Sequence, residues 1–386
     1  MGISLAQGHA DIIKKTLMKH LFLYILLTLS FPLASQAQKI TIGSCTTKDG
    51  GQYKGEMQSG KPHGKGSVLY ANGDTYEGEF EKGKRHGFGT YTFTDGEKYE
   101  GQWFQDQQHG KGTYWFMNNN RYEGLWFRDY QQGHGVMYYY NGDKYDGDWR
   151  EDKREGKGRY TYAAGAYYEG EWHNDMKQGR GKFDWGDGTT YDGQWDQNLR
   201  SGKGVNRFAD GDEYNGQWKE DIQHGKGIYK FANGDVYEGD YVQGERTGVG
   251  IFRYANGDVY TGHFVSGDKD GQGTLVWRNG DSYSGLWKGD RQNGKGVLKK
   301  KNGDVFDGTF KNGTVDGEVI VHFADGSKFK GNYKNGVANG KAIEEDKEGN
   351  RFEGSYKDGE RDGKYVLKDR NSKIVEEGTY VNGMKQ

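Results

Sequence analysis

The sequence predicts an all-β protein: an elongated, single-layer antiparallel meander of ~14 tandem β-hairpins, each written in 23 residues. Three observations predict it. A unit restarts at Tyr53, Tyr76, Tyr99, Tyr122, Tyr145, Tyr168, Tyr191, Tyr214, Tyr237, Tyr260, Tyr283, Phe306 and Phe329 without insertion or deletion. Its third and twelfth positions are always glycine, from Gly55 to Gly354 and from Gly64 to Gly363. Its first half alternates, as in Tyr76-Glu77-Gly78-Glu79-Phe80, the period of two that gives a strand one apolar and one polar face.

The chain opens differently. From Met18, Lys19 and His20 precede an apolar run, Leu21 to Leu29, then Pro32 and the small residues Ser35 and Ala37. That is the layout of a secretory signal peptide cleaved after Ala37, with residues 1–17 as an upstream start-site extension. The run is shorter than the ~20 residues of a membrane span. Ala6 breaks the N-myristoylation pattern, and "TIGSC", ending at Cys45, resembles a lipoprotein box only faintly. The mature chain is expected outside the cytosol, as a periplasmic, envelope-associated or extracellular protein. Residues 38–52 form its lead-in, residues 53–351 thirteen repeats, and residues 352–386 a degenerate repeat and cap.

Composition supports a thin sheet. Gly accounts for 67 of 386 residues and hydrophobic types for only 32%, values that would signal disorder if the glycines were not periodic and aromatics did not reach 15%. Aromatic rings bury much area per residue and can hold a sheet that has no deep core. The formal net charge of −2 is interspersed, with basic spots only at "KGKR" (82–85) and "KKK" (299–301), which excludes nucleic acid as a partner.

Within a unit, the first strand is followed by a polar loop such as "EKGKRH" (81–86) and a second alternating strand, "GFGTYTF" (87–93). Gly in strands marks close approach, and the paired glycine columns leave room for rings that would otherwise collide. The turn into the next unit is expected to have three residues and to end in a left-handed glycine. That register puts Tyr91 and Phe93 on the face of Tyr99 and Trp103, and a two-residue turn would flip them. Gly holds this place in twelve of thirteen units and Asn119 in the other, a residue also tolerated at positive φ. After Gly296 the fourteenth-position glycine becomes Val319, Ala342 and Tyr365, as in a terminal capping repeat.

"YEGQWFQDQQHGKG" (99–112) and "YNGQWKEDIQHGKG" (214–227) resemble the MORN repeat, and the resemblance covers about residues 53–385. It implies a binding or scaffolding role, towards proteins or phospholipid membranes. MORN arrays also accompany lipid kinases, lysine methyltransferases and junctional membrane proteins, but no such module fits outside these repeats.

Catalytic chemistry is not expected. "GEFEKGK" (78–84) matches the start of a P-loop, but Arg85 follows where Ser or Thr is needed, inside a hairpin. His63, His86 and His109 fall on separate hairpins, ~10 Å apart by strand spacing, too far to share a metal. The reading is no enzyme, no cofactor and no metal. The aromatic columns are the candidate ligand-binding face: Trp103, Trp126, Trp149, Trp172, Trp195 and Trp218, with Tyr122, Tyr145, Tyr168 and Tyr191. These rings pack between units, yet a single layer has nothing to cover them, so some are expected to stay accessible as an apolar groove. The expected occupant is a protein or a second copy of the chain. The alternatives are an envelope glycan or peptidoglycan stacking on the tryptophans, or phospholipid.

Overall fold

The computed structural model describes residues 39–386. The segment expected to be a signal peptide, residues 1–37, therefore lies outside the described residues. Among those described there are thirty-two strands and no helix. They fall into two compact units, one ending at Gly110 and one running from Lys111 to Gln386, with the strand Gln107–Trp115 crossing the division. In the first unit, consecutive strands from Thr41–Thr46 to Lys98–Phe104 pair antiparallel in one layer. The second repeats that pattern from Arg121–Phe127 to Ile374–Val381. The lead-in is part of the sheet: Thr41–Thr46 pairs with Gln52–Gln58, with Gly43 opposite Gly55.

One repeat shows how the sequence writes a hairpin. Strand Thr75–Glu81 returns as Lys84–Thr92 through Lys82 and Gly83 alone. Their φ angles of 54° and 91° are those of a type I′ turn, whose twist matches the strands it joins. The six-residue loop expected at 81–86 is thus corrected to a two-residue turn. The remaining polar residues belong to the returning strand, where a bulge shifts the register between Gly78 and Phe80. Where the second turn residue is Asp or Asn, its side chain helps hold the previous repeat. Asp106, Asp175 and Asp221 each accept the backbone N–H of the residue 21 positions earlier, Arg85, Arg154 and Arg200.

The turn between repeats is as expected. Phe93 accepts from the Gly96 N–H and donates to the Glu97 carbonyl, enclosing Thr94, Asp95 and a Gly96 at φ 95°. Asn119 takes the same conformation at φ 63°. Tyr91 then lies opposite Tyr99, and its ring is 6.1 Å from that of Trp103. Asp74 ties this turn to its neighbour, accepting from Tyr91 Oη at 2.8 Å and from the Thr94 N–H at 3.0 Å.

Candidate functional site

Each first-position tyrosine lies across the glycine pair of its own hairpin. A Cβ on Gly158 would sit 2.3 Å from Tyr145 Oη, and one on Gly147 would meet the Gly158 backbone. The hydroxyl reaches past them and donates to the Asp148 carbonyl at 3.0 Å. The fifth-position tryptophan stands edge-on to this ring: Tyr145 and Trp149 are 5.2 Å apart at 87°, and Tyr145 meets the next Trp172 at 5.4 Å and 83°. The indole N–H of Trp172 donates to Gly158 O at 3.1 Å. Within each compact unit, first-position tyrosines and fifth-position rings therefore alternate in a T-shaped ladder, the geometry that ring quadrupoles favour.

This packing corrects the expected accessibility of the aromatic face. Tyr122, Tyr145, Tyr168 and Tyr191 are 0% exposed, and Trp103, Trp126, Trp149, Trp172, Trp195 and Trp218 are 4–6% exposed. These ten rings are part of the core, and the structure leaves them no open groove. The cover comes from within the layer, at the tenth position, a column that the sequence reading passed over. Arg85, Arg154 and Arg200 lie 4.2–4.3 Å over Trp103, Trp172 and Trp218. Arg154 and Arg200 are each held by an aspartate, Asp175 or Asp221, at 3.0 Å. A planar guanidinium seals the indole and leaves its charge at the rim. The signal was legible as a recurring cation at residues 85, 154, 177, 200, 246, 269 and 361.

Lys177 does the same over Trp195, 4.7 Å from the ring centre, with Phe183 at 4.5 Å. Burial pushes its ammonium down to about 8. Its charge costs stability in full below that value, and the cost is relieved as pH rises from 8 towards 10.5, where the unfolded chain still holds the proton. Lys177→Met is therefore expected to be more stable at pH 7 by about 1–2 kcal/mol, allowing for partial exposure. That advantage should shrink by pH 10 in paired urea titrations, and an advantage independent of pH would contradict the burial account.

The accessible rings of this face lie at the eighteenth position. Tyr139, Tyr162, Phe208, Phe231, Tyr254 and Trp277 are half-buried, and Trp185 is 37% exposed. They zigzag with sixteenth-position rings: Tyr162 to Phe183 at 5.9 Å, Phe183 to Trp185 at 4.5 Å, and Phe231 to Phe252 at 5.9 Å. The next repeat offers Trp185 no ring, because Asn206 holds the sixteenth position there. Asn206 is 1% exposed, accepts from Arg200 Nη1 at 3.1 Å, and leaves its Nδ2 without a partner. Trp185 thus stands beside a gap in the zipper.

The opposite, polar face carries hollows over the glycine rows. One of about 560 Å³, in the first unit, is lined by Lys65, Glu79 and Phe88. Another of about 920 Å³ lies among the last repeats of the second unit. The eleventh-position side chains serve turns and neighbours singly. His86 Nε2 is 3.4 Å from Glu81, and Glu155 takes His173 Nδ1 and the Asn174 N–H at 3.0 Å each.

No curated protein matches the chain. Among solved structures, the TCP10 domain of CPAP from Danio rerio is 13% identical over 57% of this chain and 98% of its own, with a TM-score of 0.31. The SAS-4 (dCPAP) TCP domain of Drosophila melanogaster, solved with a proline-rich motif of Ana2, is 18% identical over 40% and 85%, at 0.27. A virginiamycin B lyase from Staphylococcus aureus is 10% identical over 87% and 97%, at 0.13. The sequence pattern of the MORN repeat matches every unit from 53–75 to 283–305, then 329–351 and 352–364, passing over only 306–328. With most of its length in such units, eleven of them folded as a glycine-paired hairpin under a tyrosine, the chain belongs to the MORN-repeat family.

Proposed function

We propose that the protein is a non-enzymatic scaffold acting outside the cytosol, and that it holds a protein partner along the half-buried eighteenth-position rings around Trp185. The observation that carries the reading is Trp185 itself. It is a large ring, 37% exposed, packed on Phe183 beside the polar gap at Asn206. Exposed aromatic rings are the anchors that interfaces use, because one ring supplies a large contact area. The reading keeps the aromatic face as the binding face but moves the site from the buried Trp and Tyr columns to its accessible row.

The test is a pull-down from solubilised envelope extract with the mature chain as bait, beside the variant Tyr162→Ala, Trp185→Ala, Phe208→Ala. The native bait is expected to retain a defined protein, or a second copy of itself, that the variant loses at least tenfold while keeping its circular dichroism. Equal retention by both baits would overturn the reading. Release by free oligosaccharide, or capture of liposomes with no protein present, would replace it with a glycan or phospholipid role.

A further inference from the structure

The larger polar hollow sits where the repeat departs from its own pattern. In earlier repeats the fourth-position side chain crosses the bulge and accepts the N–H of the thirteenth residue. Glu171 does so for Arg180 at 3.3 Å, Gln194 for Lys203 at 2.8 Å and Gln217 for Lys226 at 2.9 Å. In the last three repeats this residue is Thr309, Asn332 or Ser355, and none of them makes that bond; the Ser355 hydroxyl donates to the Asp362 carbonyl instead. The space left open is the hollow of about 920 Å³, with Ile320 and Ile343 in its lining.

Its charge is uneven. Lys295, Lys330, Lys341 and Lys364 line it, and none of them takes part in an ion pair among the described residues. Of the lining carboxylates, Glu353 is already held by Lys368 at 2.8 Å, which leaves Asp307 and Glu318. Four free ammonium groups thus face two free carboxylates across aliphatic and hydroxyl-bearing walls.

We propose that this hollow is a binding site for an extended acidic peptide segment with aliphatic side chains between its carboxylates. Carboxylates of the segment meet the lysines, its apolar side chains cover Ile320 and Ile343, and its backbone meets Thr309, Asn332 and Ser355. Asp307 and Glu318 disfavour a continuous polyanion such as nucleic acid, whereas a peptide can set an N–H against each. The size suits a short segment, since ligand pockets run to about 300–1,000 Å³. The site is on the face opposite Trp185 and does not rest on the role proposed there.

The test uses the full mature chain and a fluorescent dodecapeptide of alternating glutamate and leucine, followed by anisotropy. Binding is expected, and it should weaken several-fold between about 50 and 300 mM salt as the lysines are screened. Lys330→Gln, Lys341→Gln, Lys364→Gln should weaken it tenfold or more. So should Thr309→Gln, Asn332→Gln, Ser355→Gln, which returns the crossing side chain of earlier repeats. Lys157→Gln, Lys203→Gln, Lys226→Gln, on the same face elsewhere, should change it less than twofold. The variant lacking Tyr162, Trp185 and Phe208 should bind the peptide normally, so failure of either site is read separately. No binding, equal binding of an alternating lysine–leucine peptide, equal loss in the control triple, or capture of phosphatidylglycerol vesicles without capture of the peptide would each overturn the proposal.

Discussion

Gly158→Val is expected to destabilise its repeat by about 3–5 kcal/mol, and adding Tyr145→Phe is expected to recover a large part of that loss. The new Cβ would lie 2.3–2.6 Å from Oη, Cζ and Cε2 of Tyr145, a ring with no free space to move into. Overpacking of this kind costs about 1–3 kcal/mol, and displacing the ring also breaks the Tyr145–Asp148 bond and leaves a buried hydroxyl, worth about 1–3 kcal/mol more. The chain contains the compensated form. Eleven repeats pair a first-position Tyr with a fourteenth-position Gly, whereas Phe306, Phe329 and Phe352 pair with Val319, Ala342 and Tyr365. Without the hydroxyl the ring need not reach over the glycine, and the vacated volume is filled: Val319 is 2% exposed and Ala342 5%. The two changes should therefore couple by at least 1 kcal/mol in a double-mutant cycle of urea midpoints. Because each repeat leans only on its neighbours, faster hydrogen exchange should concentrate between Tyr122 and Phe183. Strict additivity would show that Tyr145 and Gly158 do not share space.

The same contrast explains what the sequence could and could not disclose. The 23-residue restart, the alternating faces and the three-residue turn ending at Gly96 or Asn119 follow from local chemistry, and local chemistry is what a sequence displays. The two-residue turn was also written there, in Asn312-Gly313 and Asn335-Gly336. It was masked in repeats such as the one at Tyr145, where Glu151 and Asp152 take the same positive φ without a glycine. The burial of the tryptophans was the larger miss. A single sheet has no second layer to cover its apolar face, yet Trp172 is enclosed by Tyr145, Tyr168 and the guanidinium of Arg154, from two adjacent hairpins. That enclosure depends on a bulge that re-aims the tenth residue, and on pairing across 18 to 27 positions of chain, which no period-two pattern encodes. The gap at Asn206 became meaningful only once Phe183 and Trp185 were seen to touch.

Alkaline pH should unfold the array abruptly. Burial raises the hydroxyls of the tyrosine column above their ordinary 10.0: Tyr53, Tyr237 and Tyr283 are pushed up to about 12, and Tyr122, Tyr145, Tyr168 and Tyr191 higher still. A group whose folded value is raised gives stability that is fully present below the unfolded value and lost as pH climbs towards the folded one. Each ring then withdraws up to ~1.4 kcal/mol per pH unit above 10, and several such rings lie in the second unit alone. Against an ordinary total of about 5–15 kcal/mol, the fold cannot survive far beyond the start of that window. The relief at Lys177 between 8 and 10.5 acts in the opposite sense, but it is one group against a column. The expected record is a flat circular dichroism signal to about pH 10, then loss of sheet signal and appearance of tyrosinate absorbance together, within one to two pH units. Tyr145→Phe and Tyr168→Phe should each move the midpoint upwards, because each removes one proton from the linkage. Column tyrosines that ionise near pH 10 while the sheet signal persists would show that solvent already reaches the ladder. The tryptophans would then again be candidates for a binding face.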